Sequence, residues 1–101
     1  MAKILCVESD PAVLESQCAV LKVSDYDAFL TVPQVAEAVL RGHRFDLIVV
    51  SNASDYDLHR VINFSDGADV LVLEGMVVPA ELFSMVSERL NRQRRAQNPF
   101  C

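Results

Sequence analysis

Short apolar runs alternate with amphipathic segments along this chain. Lys3-Ile4-Leu5-Cys6-Val7 is apolar after its first residue, with no polar alternation. A run of that length predicts a strand buried on both faces, as in a parallel sheet. In the polar stretch Glu8-Ser9-Asp10-Pro11 that follows, Asp10 is placed to cap a helix. Pro11 suits the first helical position, where its missing N–H would have no partner. From Pro11 to Lys22, Leu14, Cys18 and Leu21 recur at helical spacing, flanked by Val13 and Val20. Ser24-Asp25 reads as a turn, and Tyr26 to Leu30 as a shorter second strand. Thr31-Val32-Pro33-Gln34 has the form of a capping box, with Thr31 as cap and Gln34 reaching back to its N–H. Val32, Val35, Ala36, Val39 and Leu40 mark the buried face of a second helix. Gly42 stands where a left-handed C-cap costs glycine least.

Phe45-Asp46-Leu47-Ile48-Val49-Val50 is the strongest strand signal, with four aliphatic residues in a row. Ser51-Asn52-Ala53-Ser54-Asp55 is a polar loop. A third helix is expected over 56–64, packing Leu58, Val61 and Ile62, and Ser65-Asp66-Gly67 ends it. Asp69-Val70-Leu71-Val72-Leu73 is a further buried strand, broken by Glu74-Gly75. Pro79 opens a last helix whose apolar face is Leu82, Phe83, Val86 and Leu90. The order β-α-β-α-β-α-β-α predicts right-handed crossovers and a parallel sheet with helices on both faces. Ligands of such sheets bind at the carboxyl ends of the strands, where strand order reverses.

Length and composition narrow the class. A chain of 101 residues, 51% hydrophobic and 23% charged, fits one globular domain. The domain is expected over residues 1–95, with 96–101 as a frayed tail. No apolar run is long enough for a bilayer, and the N-terminus enters a strand at once without a signal-peptide pattern. A cytoplasmic protein, standing alone from Met1, is the expectation. The three cysteines, Cys6, Cys18 and Cys101, match no zinc spacing. Cys6 and Cys18 read as buried free thiols, and Cys101 as an exposed end. A formal charge of −5 argues against broad nucleic-acid binding. Arg89, Arg92, Arg94 and Arg95 cluster near the C-terminus, where a helix dipole favours cations.

The segment from Lys3 to Leu14 resembles the opening of bacterial response-regulator receiver domains, in which a strand ends in paired acids before an Asp-Pro helix start. Phe45 to Ser51 looks like the third receiver strand, which normally ends in the phosphorylated aspartate. Residues 31–40 are similar to the family's second helix. The resemblance covers the first two-thirds of the chain. It implies a three-layer, flavodoxin-like (CheY-like) α/β fold of five strands and five helices. The last third departs from it. After the fourth strand the chain passes almost directly to Met76-Val77-Val78-Pro79, which looks like the fifth strand and Lys-Pro region without the lysine. One helix is expected to be missing, and the fifth strand reduced or lost.

The resemblance implies a phosphorylation site built on an aspartate, Mg²⁺ between carboxylates, a hydroxyl and a lysine. Here Glu8 keeps one acid, Ser9 replaces the other, and Ser51 stands at the acceptor position. Serine without an adjacent base is a weak nucleophile and brings no charge to a metal. Glu74 takes the place of the switch hydroxyl and Val78 that of the lysine. The site is therefore expected to be degenerate, with no catalytic residue and no cofactor. Mg²⁺ on Glu8 and Asp10 is the alternative, against a reading in which Asp10 caps a helix and the acids are solvated.

The expected function is that of a pseudo-receiver, a non-enzymatic signalling module in a two-component phosphorelay that acts through a protein partner or a homodimer. Its expected interface is apolar surface around Met76, Val77 and Phe83, uncovered by the lost helix. No small-molecule substrate, membrane or nucleic acid is expected as a partner. Three readings compete. One is a residual Mg²⁺-dependent phosphoryl or metal switch at Glu8, Ser51 and Glu74. Another is a small α/β hydrolase, which lacks a G-x-S-x-G elbow and whose histidines, His43 and His59, are placed away from Ser51. The last is a nucleic-acid role for the arginine tail.

Overall fold

The computed structural model describes residues 2–23, 26–75 and 77–97, the last four as backbone only. The Ser24-Asp25 turn, Met76 and the residues from Asn98 to Cys101 lie outside the described residues. Four strands, β1 (Lys3–Glu8), β2 (Asp27–Thr31), β3 (Leu47–Ser51) and β4 (Asp69–Leu73), alternate with α1 (Pro11–Val23), α2 (Pro33–Gly42), α3 (Asp55–Asn63) and α4 (Pro79–Gln97). The strands form one parallel sheet in the order β2-β1-β3-β4. β1 and β3 are central, and this is why their residues are buried on both faces. Ile4, Cys6, Leu47, Val49, Leu71 and Leu73 face α1 and α4 through Leu14, Cys18, Leu21, Leu82 and Val86. Leu5, Val7, Ile48 and Val50 face α2 and α3 through Ala36, Leu40 and Val61. Among the described residues no helix is long and apolar enough to cross a membrane.

Local chemistry explains the element ends. Asp10 caps α1: its Oδ1 accepts the Ala12 N–H at 3.0 Å. Ser54 does the same for α3 through the Asp57 N–H at 3.1 Å. The expected Thr31 capping box does not form. Val32 is the N-cap without a side-chain bond, because Thr31 stays in β2 and turns its hydroxyl to the Val32 carbonyl at 3.3 Å. Gly42 takes no left-handed cap either: α2 leaves through an extended His43 straight towards β3. β3 begins at Leu47 and not Phe45, since Asp46 exchanges two backbone-anchored bonds with Lys3, 2.7 and 2.8 Å long. On α2, α3 and α4 the outermost expected core residues Val35, Ile62 and Phe83 remain 49%, 49% and 41% exposed. Among the described residues no strand follows β4, and β4 is the edge of the sheet they form.

Cys6 and Cys18 are buried free thiols, as expected. Burial, and then the neighbouring Cys18, push the Cys6 thiol up to about 12, which leaves it unreactive. Of the clustered arginines, Arg89 and Arg92 have described side chains, and both are paired within the domain. Arg89 grips the Asp69 carboxylate at 3.0 Å on both oxygens, and Arg92 bonds Glu88.

Glu37 on α2 pairs with Arg60 on α3 and with Arg41 one turn along α2. The hydrogen bond from Arg60, reinforced by the charge of Arg41, holds its carboxyl below the usual glutamate range. A carboxyl depressed in the folded state adds stability above its unfolded pKa, and that stability disappears as pH falls through the folded value. Arg60→Ala is therefore expected to destabilise the protein slightly at neutral pH and not at all in strong acid. Urea midpoints of both proteins across an acidic pH series measure this. A gap that persisted in strong acid would mean that Arg60 acts through packing alone.

Candidate functional site at the carboxyl edge of the sheet

β1 and β3 pair in register so that Glu8 lies directly beside Ser51. This is the point where strand order reverses, the place where doubly wound sheets bind ligands. Both side chains are buried, Glu8 at 0% and Ser51 at 3% exposure. The Ser51 hydroxyl donates to Glu8 Oε2. It accepts in turn from Gln17 Nε2 at 3.2 Å, so α1 is tied through Ser51 to β1. Asn52 completes the cluster. Its left-handed backbone, φ 51°, bends the chain just past β3, and its Nδ2 donates to Glu8 Oε1 and Oε2 at 3.0 and 3.1 Å. Asparagine tolerates that conformation better than most residues. The Asp10 N–H also donates to Glu8 Oε1, at 3.0 Å. The Glu8 carboxylate thus accepts four hydrogen bonds from within the chain, which is how a buried acid is satisfied.

The side chains at the remaining positions named from sequence make no hydrogen bond to Glu8 or Ser51. Ser9 is exposed, and its hydroxyl donates to the Asn52 carbonyl at 3.4 Å. Asp10 is spent on capping α1. Glu74 is exposed one residue beyond the Ser51–Leu73 pair, and Val78 is 55% exposed. Among the described residues, no three His, Cys, Asp or Glu side chains gather as a metal site. A Mg²⁺ ion would need oxygen ligands that Glu8 has already committed elsewhere, so the residues present do not fit it. His43 packs near Phe45 at the opposite end of β3, and His59 is exposed on α3, so neither is placed as a base for Ser51. Of the expected interface, Val77 packs against the α1–α4 core and Phe83 leans on Tyr26 with ring centroids 6.4 Å apart.

Sequence reading missed Gln17 and Asn52. Gln17 carried a signal: it falls between Leu14 and Cys18 on the face that also holds Leu21, so helical spacing alone buries it. Asn52 carried none, since its role depends on a backbone bend and on which strand lies next to β3.

No protein-family model matches the chain, and no curated protein is significantly similar to it in sequence. Solved structures are similar to it in fold. A receiver domain of a signal transduction histidine kinase from Syntrophus aciditrophicus is 20% identical with a TM-score of 0.67, over 94% of each chain. The Vibrio cholerae chemotaxis protein CheY4 is 16% identical with a TM-score of 0.62, over 87% of this chain and 98% of its own. The receiver domain of NtrC4 from Aquifex aeolicus is 17% identical with a TM-score of 0.61, over 92% of this chain and 78% of its own. The strand order, the placement of the helices on the two faces and these likenesses together identify the fold of the protein as that of CheY-like response-regulator receiver domains.

Proposed function

We propose that the protein is a receiver-fold signalling module that does not accept a phosphoryl group and acts in the cytoplasm by binding another protein. One observation carries this reading: the hydroxyl at the acceptor position, Ser51, is buried and held between Glu8 and Gln17. A phosphoryl donor cannot reach it without opening that network. The fully buried Glu8 would also repel an incoming phosphoryl group. The sheet core on both sides of this site is intact, which suits a scaffold kept for binding. Binding surface is available along the β4 edge, where Val72 is 42% exposed, and just before α4, where Val78 is 55% exposed. An edge strand without proline or lysine is open to partners. The partner is either a second protein or another copy of the chain.

Incubation with Mg²⁺ and acetyl phosphate is expected to leave the intact mass unchanged. Mg²⁺ with beryllofluoride is expected to leave the amide signals of Glu8, Ser51 and Glu74 in place. Concerted shifts of those three signals at millimolar concentration would mean that the site still takes metal or phosphoryl groups, and would overturn the reading.

A further inference from the structure

β4 is an edge of the sheet that the described residues form. In a parallel sheet, alternate residues of an edge strand turn N–H and C=O away from their neighbour, so β4 offers backbone groups to a further strand. Soluble proteins guard such edges with lysine, proline or a bulge. Asp69-Val70-Leu71-Val72-Leu73 has none of these. It pairs residue for residue with β3, and its single charge, Asp69, is held by Arg89 at 3.0 Å. Val72 remains 42% exposed. On one face of this edge lies α4, whose Leu82 and Val86 share a core cluster with Leu71 and Leu73. Arg89 Nη1 also donates to the Val70 carbonyl at 3.4 Å. The stripe of α4 that carries Arg89 therefore faces β4, and i,i+4 spacing puts Met85 and Glu81 on the same stripe. That stripe is polar in charge. The exposed Glu81 stands near the carboxyl end of β4, Arg89 near its amino end, and Met85 between them.

We propose that the partner is a second copy of the chain, and that β4 pairs antiparallel with β4 of that copy about a two-fold axis through Leu71. The inference rests on the reading above in taking a protein as the partner, and it names that protein. Identical edges that meet about a two-fold axis must run antiparallel. Centring on Leu71 sets Val70 opposite Val72 and Asp69 opposite Leu73 of the other copy, so no like charges face each other across the strands. The same axis leaves both α4 helices on one face of the joined sheet, running antiparallel. Strands lie about 4.8 Å apart, so helices placed over β3 and β4 come within about 10 Å of each other, a helix-packing distance. Their charges then match. Glu81 of each copy meets Arg89 of the other, and Met85 meets its own counterpart at the axis. Within its own chain Arg89 bonds through Nη1, which leaves Nε and Nη2 to donate to Glu81. Pairing β4 with the opposite edge, β2, would not close and would build a fibre.

The test is sedimentation velocity of the full chain up to millimolar concentration, under reducing conditions so that Cys101 cannot cross-link copies. A reversible passage from monomer to dimer is expected. Hydrogen exchange should slow with concentration at alternate amides of β4 and not at β2. Glu81→Arg sets like charges together at two symmetry-related places, and so does Arg89→Glu. Each is expected to weaken the dimer about tenfold. An equimolar mixture of the two variants should recover it, because each copy then carries the charge that the other lacks. Val72→Lys should abolish the dimer, as edge lysines do. A monomer throughout the range would overturn the proposal. Open-ended larger species, exchange slowed at β2 in place of β4, or a mixture of the folded variants no better than its components would do so too. Sedimentation and exchange of the unaltered protein decide the matter even if Arg89→Glu, which loses the Asp69 contact, folds poorly. A monomer would leave the non-phosphorylated reading standing, whereas a beryllofluoride response would overturn that reading and leave the dimer.

Discussion

Glu8→Ala is expected to lower the unfolding free energy by about 3–4 kcal/mol, the largest single effect of any polar residue in the domain. The side chain is fully buried and accepts hydrogen bonds from Ser51, from Asn52 and from the Asp10 backbone. Truncation leaves these donors without an acceptor and opens a void at the end of β1. Each orphaned buried group costs on the order of 1–3 kcal/mol, and the void adds to it. In a domain of this size the melting temperature should fall by roughly 15–20 °C. Glu8→Gln keeps the shape and one accepting oxygen. Its new N–H₂ group must face either Ser51 or Asn52, both of which donate to Glu8, so a smaller loss of about 1–2 kcal/mol is expected. Urea unfolding followed by circular dichroism measures both. If the alanine variant were as stable as the parent, Glu8 would be solvated and the buried network would not exist.

Ser51→Asp places a second carboxylate against Glu8, at the registered position on the neighbouring strand. The variant also removes the hydroxyl that donates to Glu8. Two buried like charges disfavour ionisation, so at neutral pH the variant is expected to lose about 3 kcal/mol. Repulsion raises the carboxyl pKa in the folded state above its unfolded value. The stability associated with such a group is complete below the unfolded pKa and is lost as pH rises through the folded one. The variant should therefore regain stability on acidification, as the pair comes to share a proton. Ser51→Asn, neutral and nearly the same shape, should lack that pH dependence. Millimolar Mg²⁺ should stabilise the aspartate variant more than the parent, since a hard cation offsets two adjacent acids. Thermal melts of the three proteins across pH, with and without Mg²⁺, check all of this. A flat pH response from Ser51→Asp would show that position 51 does not face a buried carboxylate.

Much of the architecture was legible before any coordinates. Continuous apolar runs at Ile4 to Val7 and Leu47 to Val50 could only be strands buried on both faces, and the structure makes them the two central strands. Helical spacing on α1, with Asp10 as its cap, determined where the first crossover starts. The shortened last third, passing from Leu73 almost directly to Pro79, announced an outer strand reduced or lost, and four strands pair in the described sheet. These features are readable because burial leaves a periodic imprint along the chain, and turns and caps are short-range. The site was legible only as a set of altered positions. Sequence placed Ser51 and Glu8 at strand ends, but the β1–β3 register is what puts them side by side. Only the folded packing set Ser51 against the inward-facing Gln17, bent the chain at Asn52 to hand its amide to Glu8, and sent Glu74 out to solvent. The same packing overruled two local signals, leaving Thr31 in its strand and Gly42 without a left-handed cap, because neighbouring strands and an extended exit satisfied the backbone there. Sequence thus determined which residues would be buried and in what kind of element. Partnership between groups some 34 to 44 residues apart was decided by sheet register, a long-range choice that no local pattern encodes.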